Sequence, residues 1–211
     1  MRYQDQNNKI EVIKGWLGSG SINIFGVPFA GKDTQATAVA KLLDAQVIGG
    51  GDLLRSHSDQ EKIRELMLTG ELFPTDFYLE IILPFLSKPE FSGKPLVLSS
   101  IGRWHGEEKV VMQAAEQAGH PIKAVVNITI DDNLVHQRFE ASQTKNDRGK
   151  RHDDALHLID VRLTEFKQKT LPVIEAYRQA GLLVTVDGNQ SPENVCNEII
   201  NSLFTKASGE K

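Results

Sequence analysis

Residues Gly26, Val27, Pro28, Phe29, Ala30, Gly31 and Lys32 have the spacing GxxxxGK, and the chemistry that spacing serves is the holding of a polyphosphate. Glycines let the backbone curl so that N–H groups converge on phosphate oxygens, and a helix opening at the end of the loop adds the positive end of its dipole. Lys32 supplies a point charge to the outer phosphates. The pattern carries weight only where a strand precedes it and a helix follows. Related loops continue with a Ser or Thr that holds Mg²⁺, but here that position is Asp33, followed by Thr34. A carboxylate is a hard oxygen ligand, and a bound Mg²⁺ would cancel the repulsion between Asp33 and the polyanion. The competing reading is that Asp33 caps the helix it opens, where a negative charge is worth about 0.3–1 kcal/mol.

The elements that must position this loop are short apolar runs alternating with helix-period stretches. Runs 22–25, 46–48, 96–99, 124–130 and 182–186 are apolar and partly β-branched, as strands are. After the first, Ala36, Val39, Ala40 and Leu43 mark one buried helical face; after the third, Val110, Val111, Ala114, Ala115 and Ala118 do the same. A long helix is expected from about Asp153, with Ile159, Leu163, Phe166, Thr170, Val173 and Tyr177 on one stripe and a bend at Pro172. Strand and helix in alternation predict an α/β fold, a three-layer sandwich around a central five-stranded parallel sheet. Residues 49–89 break that rhythm and read as an inserted helical lobe, and the polar, basic stretch 142–152 reads as a mobile loop. Residues 1–19 form an expected N-terminal extension ahead of a domain spanning 20–211. Within the extension Ile10, Ile13, Trp16 and Leu17 make one weak amphipathic set, followed by a Gly-Ser-Gly hinge at 18–20.

The segment GVPFAGKDTQ resembles the GxPGxGKGTQ loop of adenylate kinases, with Phe29 and Asp33 in place of two glycines. Phe29 removes conformational freedom at a tight turn. Further matches follow in the family's order. GDLLR, residues 51–55, resembles its monophosphate grip, which implies Asp52 and Arg55 at the acceptor; residues 70–76 resemble its GxLVPD segment. Ser99-Ser-Ile-Gly-Arg103 stands where the family has DGFPR, implying Arg103 as a second clamp on the acceptor phosphate, with a serine where the family's carboxylate holds the magnesium waters. Arg138, then Arg151-His-Asp-Asp154, then Arg162 resemble the arginines around the family's closing lid, here about residues 139–152 and short, without cysteines. Arg151 and Arg162 are about three helical turns apart and share an azimuth. Val184-Thr-Val-Asp-Gly188 resembles the strand and turn that meet the donor adenine.

The resemblance, over about residues 21–205, implies transfer of the terminal phosphoryl group of ATP to a nucleoside monophosphate, with Mg²⁺ accompanying ATP and no zinc. The implied donor site is Gly26 to Thr34 with Arg138. The implied acceptor site is Asp52, Arg55, Arg103, Glu107, Arg151 and Arg162, and the implied catalytic cations are Lys32, Arg103, Arg138, Arg151 and Arg162. A Thr usually precedes the family's GD pair and a Gln follows its DGFPR arginine by four; these are Gly50 and Glu107 here. AMP is the favoured acceptor, with UMP, CMP or dUMP-like acceptors next. The rival is a nucleotide-binding protein of kinase shape with little catalysis, motivated by Phe29, Asp33 and Ser99.

Composition sets the remaining bounds. A net charge of −4 argues against a nucleic-acid backbone as partner. A nucleic-acid-handling P-loop ATPase also lacks support because no Asp-Glu pair ends an apolar strand after the loop. No apolar run approaches the roughly 18 residues of a membrane span. Cys196 is the only cysteine, which excludes an internal disulfide and fits a reducing compartment. The expectation is a cytoplasmic monomer.

Overall fold

The computed structural model describes residues 2–50, 61, 65, 84–145 and 156–209. Five strands form one all-parallel sheet: β1 (Ser21–Gly26), β2 (Gln46–Gly49), β3 (Leu96–Ser99), β4 (Ile122–Thr129) and β5 (Leu183–Asp187), in the order β2-β3-β1-β4-β5. The central runs are mainly apolar rather than strictly alternating because helices cover both faces of the sheet. Every residue of β1 and β3 is buried. The five expected strands are all present, with ends shifted by at most two residues.

Helix α1 (Arg2–Leu17), α2 (Lys32–Leu43) and α7 (Pro192–Ala207) pack together on one face. On the other lie α3 (Glu107–Gln117) and α6 (Leu171–Gln179), which touch each other and β4. Helices α4 (Asp132–Lys145) and α5 (Leu156–Glu165) follow β4 in the chain. The buried face of α2 is Gln35, Ala36, Val39, Ala40 and Leu43, the expected stripe extended by one polar residue. In α3 the expectation is corrected: Val110 is exposed, and the buried positions are Glu107, Glu108, Val111 and Ala115. The two carboxylates are drawn inward by loop amides they accept.

The expected long helix is present from Leu156, and its stripe Ile159, Leu163, Phe166, Thr170, Val173 and Tyr177 is buried. Its start at Asp153 lies outside the described residues. Before Pro172 the chain widens into one π-helical turn, Phe166–Thr170, and α6 begins with the proline in its first turn. A π turn is the local adjustment by which a helix passes a residue that lacks an N–H and crowds the preceding turn.

The N-terminal segment has a place in the core that its weak amphipathicity did not indicate. Ile10, Ile13 and Leu17 are buried, and α1 docks on α7, where Gln6 donates to Asn197 and Lys9 to Asn201. The expected hinge at 18–20 is corrected to a pinned turn. Gly20 donates to the Leu17 carbonyl at 2.8 Å, Ser19 Oγ donates to the Gly119 carbonyl, and a Cβ on Gly20 would come within 3.0 Å of backbone and Lys123.

Candidate active site

The chain leaves β1 at Gly26, where a Cβ would approach Ala30 Cβ and the Ile128 carbonyl to 3.0 Å. The loop then folds on itself, with the Ala30 amide donating to the Val27 carbonyl at 3.1 Å. Phe29 takes a left-handed conformation, φ 62°, which costs an L residue about 1–2 kcal/mol relative to glycine. Its ring is buried and meets Phe139 of α4 edge to face, centroids 5.7 Å apart at 84°. Such a pair contributes about 0.5–1.5 kcal/mol beyond its buried area, enough to offset much of the backbone cost.

Next to Phe139, the Arg138 guanidinium donates to the carbonyls of Phe29 (3.2 Å), Ala30 (3.3 Å) and Gly188 (2.7 Å). It thereby ties the loop to the turn after β5. Gly188 cannot be larger, because a Cβ would lie 2.6 Å from Ile130 and 2.7 Å from Ile128. Burial pushes the Arg138 pKa below its usual value; a guanidinium stays protonated through such a change.

Gly31, φ 89°, is the N-cap of α2, so Lys32 stands in the first turn with the helix dipole behind it. Lys32 Nζ lies 3.7 Å from Asp33 Oδ2. Asp33 is exposed, and its Oδ1 accepts a 2.7 Å hydrogen bond from Ser99 Oγ at the end of β3. That bond joins the phosphate loop to the strand beside it. Thr34 is exposed in the same helical turn.

After β3 the chain makes a tight loop through Ser100 (φ 55°) and Gly102 (φ 73°), where a Cβ on Gly102 would strike Val111 at 2.8 Å. Buried Asn23 of β1 fixes this loop through both amide atoms, donating to the Ile101 carbonyl at 2.7 Å and accepting from its amide at 3.2 Å. Glu107 Oε2 accepts from the amides of Arg103 (2.7 Å) and Trp104 (2.9 Å), while Thr170 Oγ1 donates to the Arg103 carbonyl at 3.2 Å. The backbone of Arg103 is thus held from both sides. Arg162 sits half-buried on α5.

The structure therefore brings together Gly26 to Thr34, Ser99 and Arg138, and it sets Arg103 on the loop leaving the strand next to β1. Asp52, Arg55 and Arg151 lie outside the described residues, as do residues 70–76. Of the expected lid, 139–145 are the last two turns of α4. Glu107, expected at the acceptor, has its carboxylate turned onto the Arg103 loop. Asn23 and Phe139 were not singled out by sequence, and Thr170 was named only as part of a buried helical stripe. Asn23 and Thr170 carry a detectable signal, a polar residue inside an apolar stripe, whereas Phe139 carries none.

The N-terminal loop of α2 and the β3 loop meet where the connections from β1 and β3 leave in opposite directions. Open α/β sheets form their ligand crevice at that point.

Residues 24–182 match the family model described as adenylate kinase. The chain is 29% identical over 181 residues to the adenylate kinase of Parvibaculum lavamentivorans, covering 83% of this chain and 88% of that one. It is 28% identical over 193 residues to the adenylate kinase of a Cyanothece species, covering 89% and 96%. With the adenylate kinase of Methanococcoides burtonii it shares 28% over 212 residues, covering 87% and 98%.

Proposed function

The chain belongs to the adenylate kinase family, and on that premise we propose how its residues move the terminal phosphoryl group of ATP to AMP. A phosphate oxygen of AMP attacks the γ-phosphorus, the bond to the β–γ bridging oxygen breaks, and that oxygen leaves with the electron pair on ADP. AMP becomes the second ADP. The attacking oxygen is already ionised, so no general base is required. The barrier lies in pressing two polyanions together, and positioned cations lower it.

Lys32 and the loop amides hold the donor phosphates. Arg103 holds the acceptor phosphate with Arg55, while Arg151 and Arg162 screen the charge of the transition state. Arg138 donates to the carbonyls of Phe29, Ala30 and Gly188, shaping the donor site between the phosphate loop and the turn after β5. Residues 49–89 serve as the acceptor lobe and residues near 139–152 as the lid, whose closure excludes water. One observation supports the reading: Ser99 Oγ donates to Asp33, tying the phosphate loop to the end of β3, from which the Arg103 loop leaves.

Mg²⁺ enters with ATP. In this reading phosphate oxygens and water complete its shell, as Mg²⁺ usually keeps several waters. Asp33 fits the protein's share: it is a hard, solvent-facing carboxylate, anchored by Ser99 beside Lys32. Among the described residues no helix is long and apolar enough to cross a membrane. A cytoplasmic monomer is part of the same proposal.

A coupled assay with ATP and AMP, UMP, CMP or dUMP in turn tests the reading. AMP is expected to give the largest kcat/KM, and Lys32→Ala and Arg103→Ala should each cost about 100-fold or more in turnover with the fold intact. Near wild-type turnover in both variants would remove them from the site. Tight ATP binding without turnover on any monophosphate would favour the rival, a nucleotide-binding protein of kinase shape.

A further inference from the structure

We propose that Phe139 is a positioning residue for the donor nucleotide, holding Phe29 in the left-handed turn that gives the phosphate loop its shape. The inference rests on the reading of that loop as the ATP site.

Three contacts converge on one turn. The Phe29 ring lies edge to face on Phe139, its carbonyl accepts from Arg138, and the next carbonyl, that of Ala30, accepts from the same guanidinium. Residues adjacent on a helix point about 100° apart, so Arg138 and Phe139 grip the turn from two directions, one by charge and one by packing. Neither contact alone fixes both the ring and the peptide planes. In a planar trans peptide the N–H points opposite to the C=O. Holding the Ala30 carbonyl on Arg138 therefore aims the Gly31 N–H the other way, away from α4.

A glycine would visit this conformation unaided. Phenylalanine does not, and a free loop carrying it would spend most of its time in extended or right-handed conformers that turn the peptides elsewhere. Phe29 and Phe139 thus form a matched pair: the first creates a need for support that the second meets. Phe139 is 7% exposed, as a fixed support requires.

The test is a double-mutant cycle read as ATP affinity, by calorimetry with ATP and no acceptor, and as KM for each substrate. Phe139→Ala is expected to weaken ATP binding roughly tenfold, the equivalent of about 1.4 kcal/mol, with KM for AMP unchanged. In a Phe29→Gly background, where the turn needs no support, the same substitution is expected to change ATP affinity less than about twofold, because the coupling has been removed. A merely structural role would lower thermal stability equally in both backgrounds and leave ATP affinity alone. If Phe139→Ala does not fold, Phe139→Leu, which keeps an apolar side chain and most of the volume but loses the edge-to-face geometry, carries the same comparison with a smaller loss. Unchanged ATP affinity, or a loss of equal size in the Phe29→Gly background, overturns the proposal. A wild type that failed to bind ATP would instead bring down the functional reading, and this inference with it.

Discussion

Asp33 stands where the loop it resembles has a glycine and Ser99 where the pattern has a carboxylate, and the 2.7 Å bond between them keeps a carboxylate at the junction of loop and strand. Its partner Lys32 is close enough to attract it, so Asp33 competes with phosphate for that lysine until a cation intervenes. A metal-ligating Asp33 predicts that Asp33→Gly raises the Mg²⁺ needed for half-maximal rate several-fold, and that Ser99→Asp in the same chain partly restores it. The magnitude follows from loss of one hard oxygen ligand whose charge also offsets the ion. A magnesium titration that does not move, with only a small fall in stability, would leave Asp33 as a helix cap worth about 0.3–1 kcal/mol.

Elements contribute here mainly by holding loops whose conformations they do not share. The loop from Ser100 to Gly106 contains three left-handed residues, and its hold on Arg103 comes from Asn23 in β1, Glu107 in α3 and Thr170 in the π turn. The π turn passes Pro172 and also carries Thr170, whose hydroxyl reaches the Arg103 carbonyl. Removing the Glu107 carboxylate leaves two partly buried amides without their acceptor, a cost of about 1–3 kcal/mol. Glu107→Ala is therefore expected to lower stability by that amount in urea unfolding. It should also raise KM for AMP more than KM for ATP, since the loop it braces carries Arg103 and not Lys32. Equal changes in both constants would detach Glu107 from the acceptor side.

Across the whole molecule the sheet is a platform with the site at the carboxyl ends of its inner strands β1 and β3, and α1 is one of the helices that cover it. Ile13 is fully buried between α1 and the rest of the core, and Leu17 nearly so. Ile13→Ala is expected to cost about 2–5 kcal/mol, the usual range for deleting a buried aliphatic side chain. In a chain of this size each kcal/mol lowers Tm by about 2–4 °C. The folded fraction should keep its kcat, because α1 packs on α7 and α2 while the site lies at the ends of β1 and β3. A change in stability below about 0.5 kcal/mol, the range of ordinary surface substitutions, would show that the first helix is an appendage.

The strands, the phosphate loop and the α2 stripe were legible in the sequence because each depends on local signals. Apolar runs of strand length, glycine spacing and a helical period are set by neighbours along the chain. The N-terminal helix was legible only as a weak pattern, since its burial depends on α7, almost two hundred positions away, whose Asn197 and Asn201 receive its polar side chains. The same holds for Glu107 and Val110. Helical period predicted an apolar face, but the amides of Arg103 and Trp104 draw the carboxylate inward, and only the folded loop places them there. Phe29 shows the division most clearly. Its identity announced a turn deprived of glycine's freedom, while the means of holding that turn, the ring of Phe139 and the guanidinium of Arg138, came from a helix more than one hundred residues later, brought alongside by the pairing of β1 with β4.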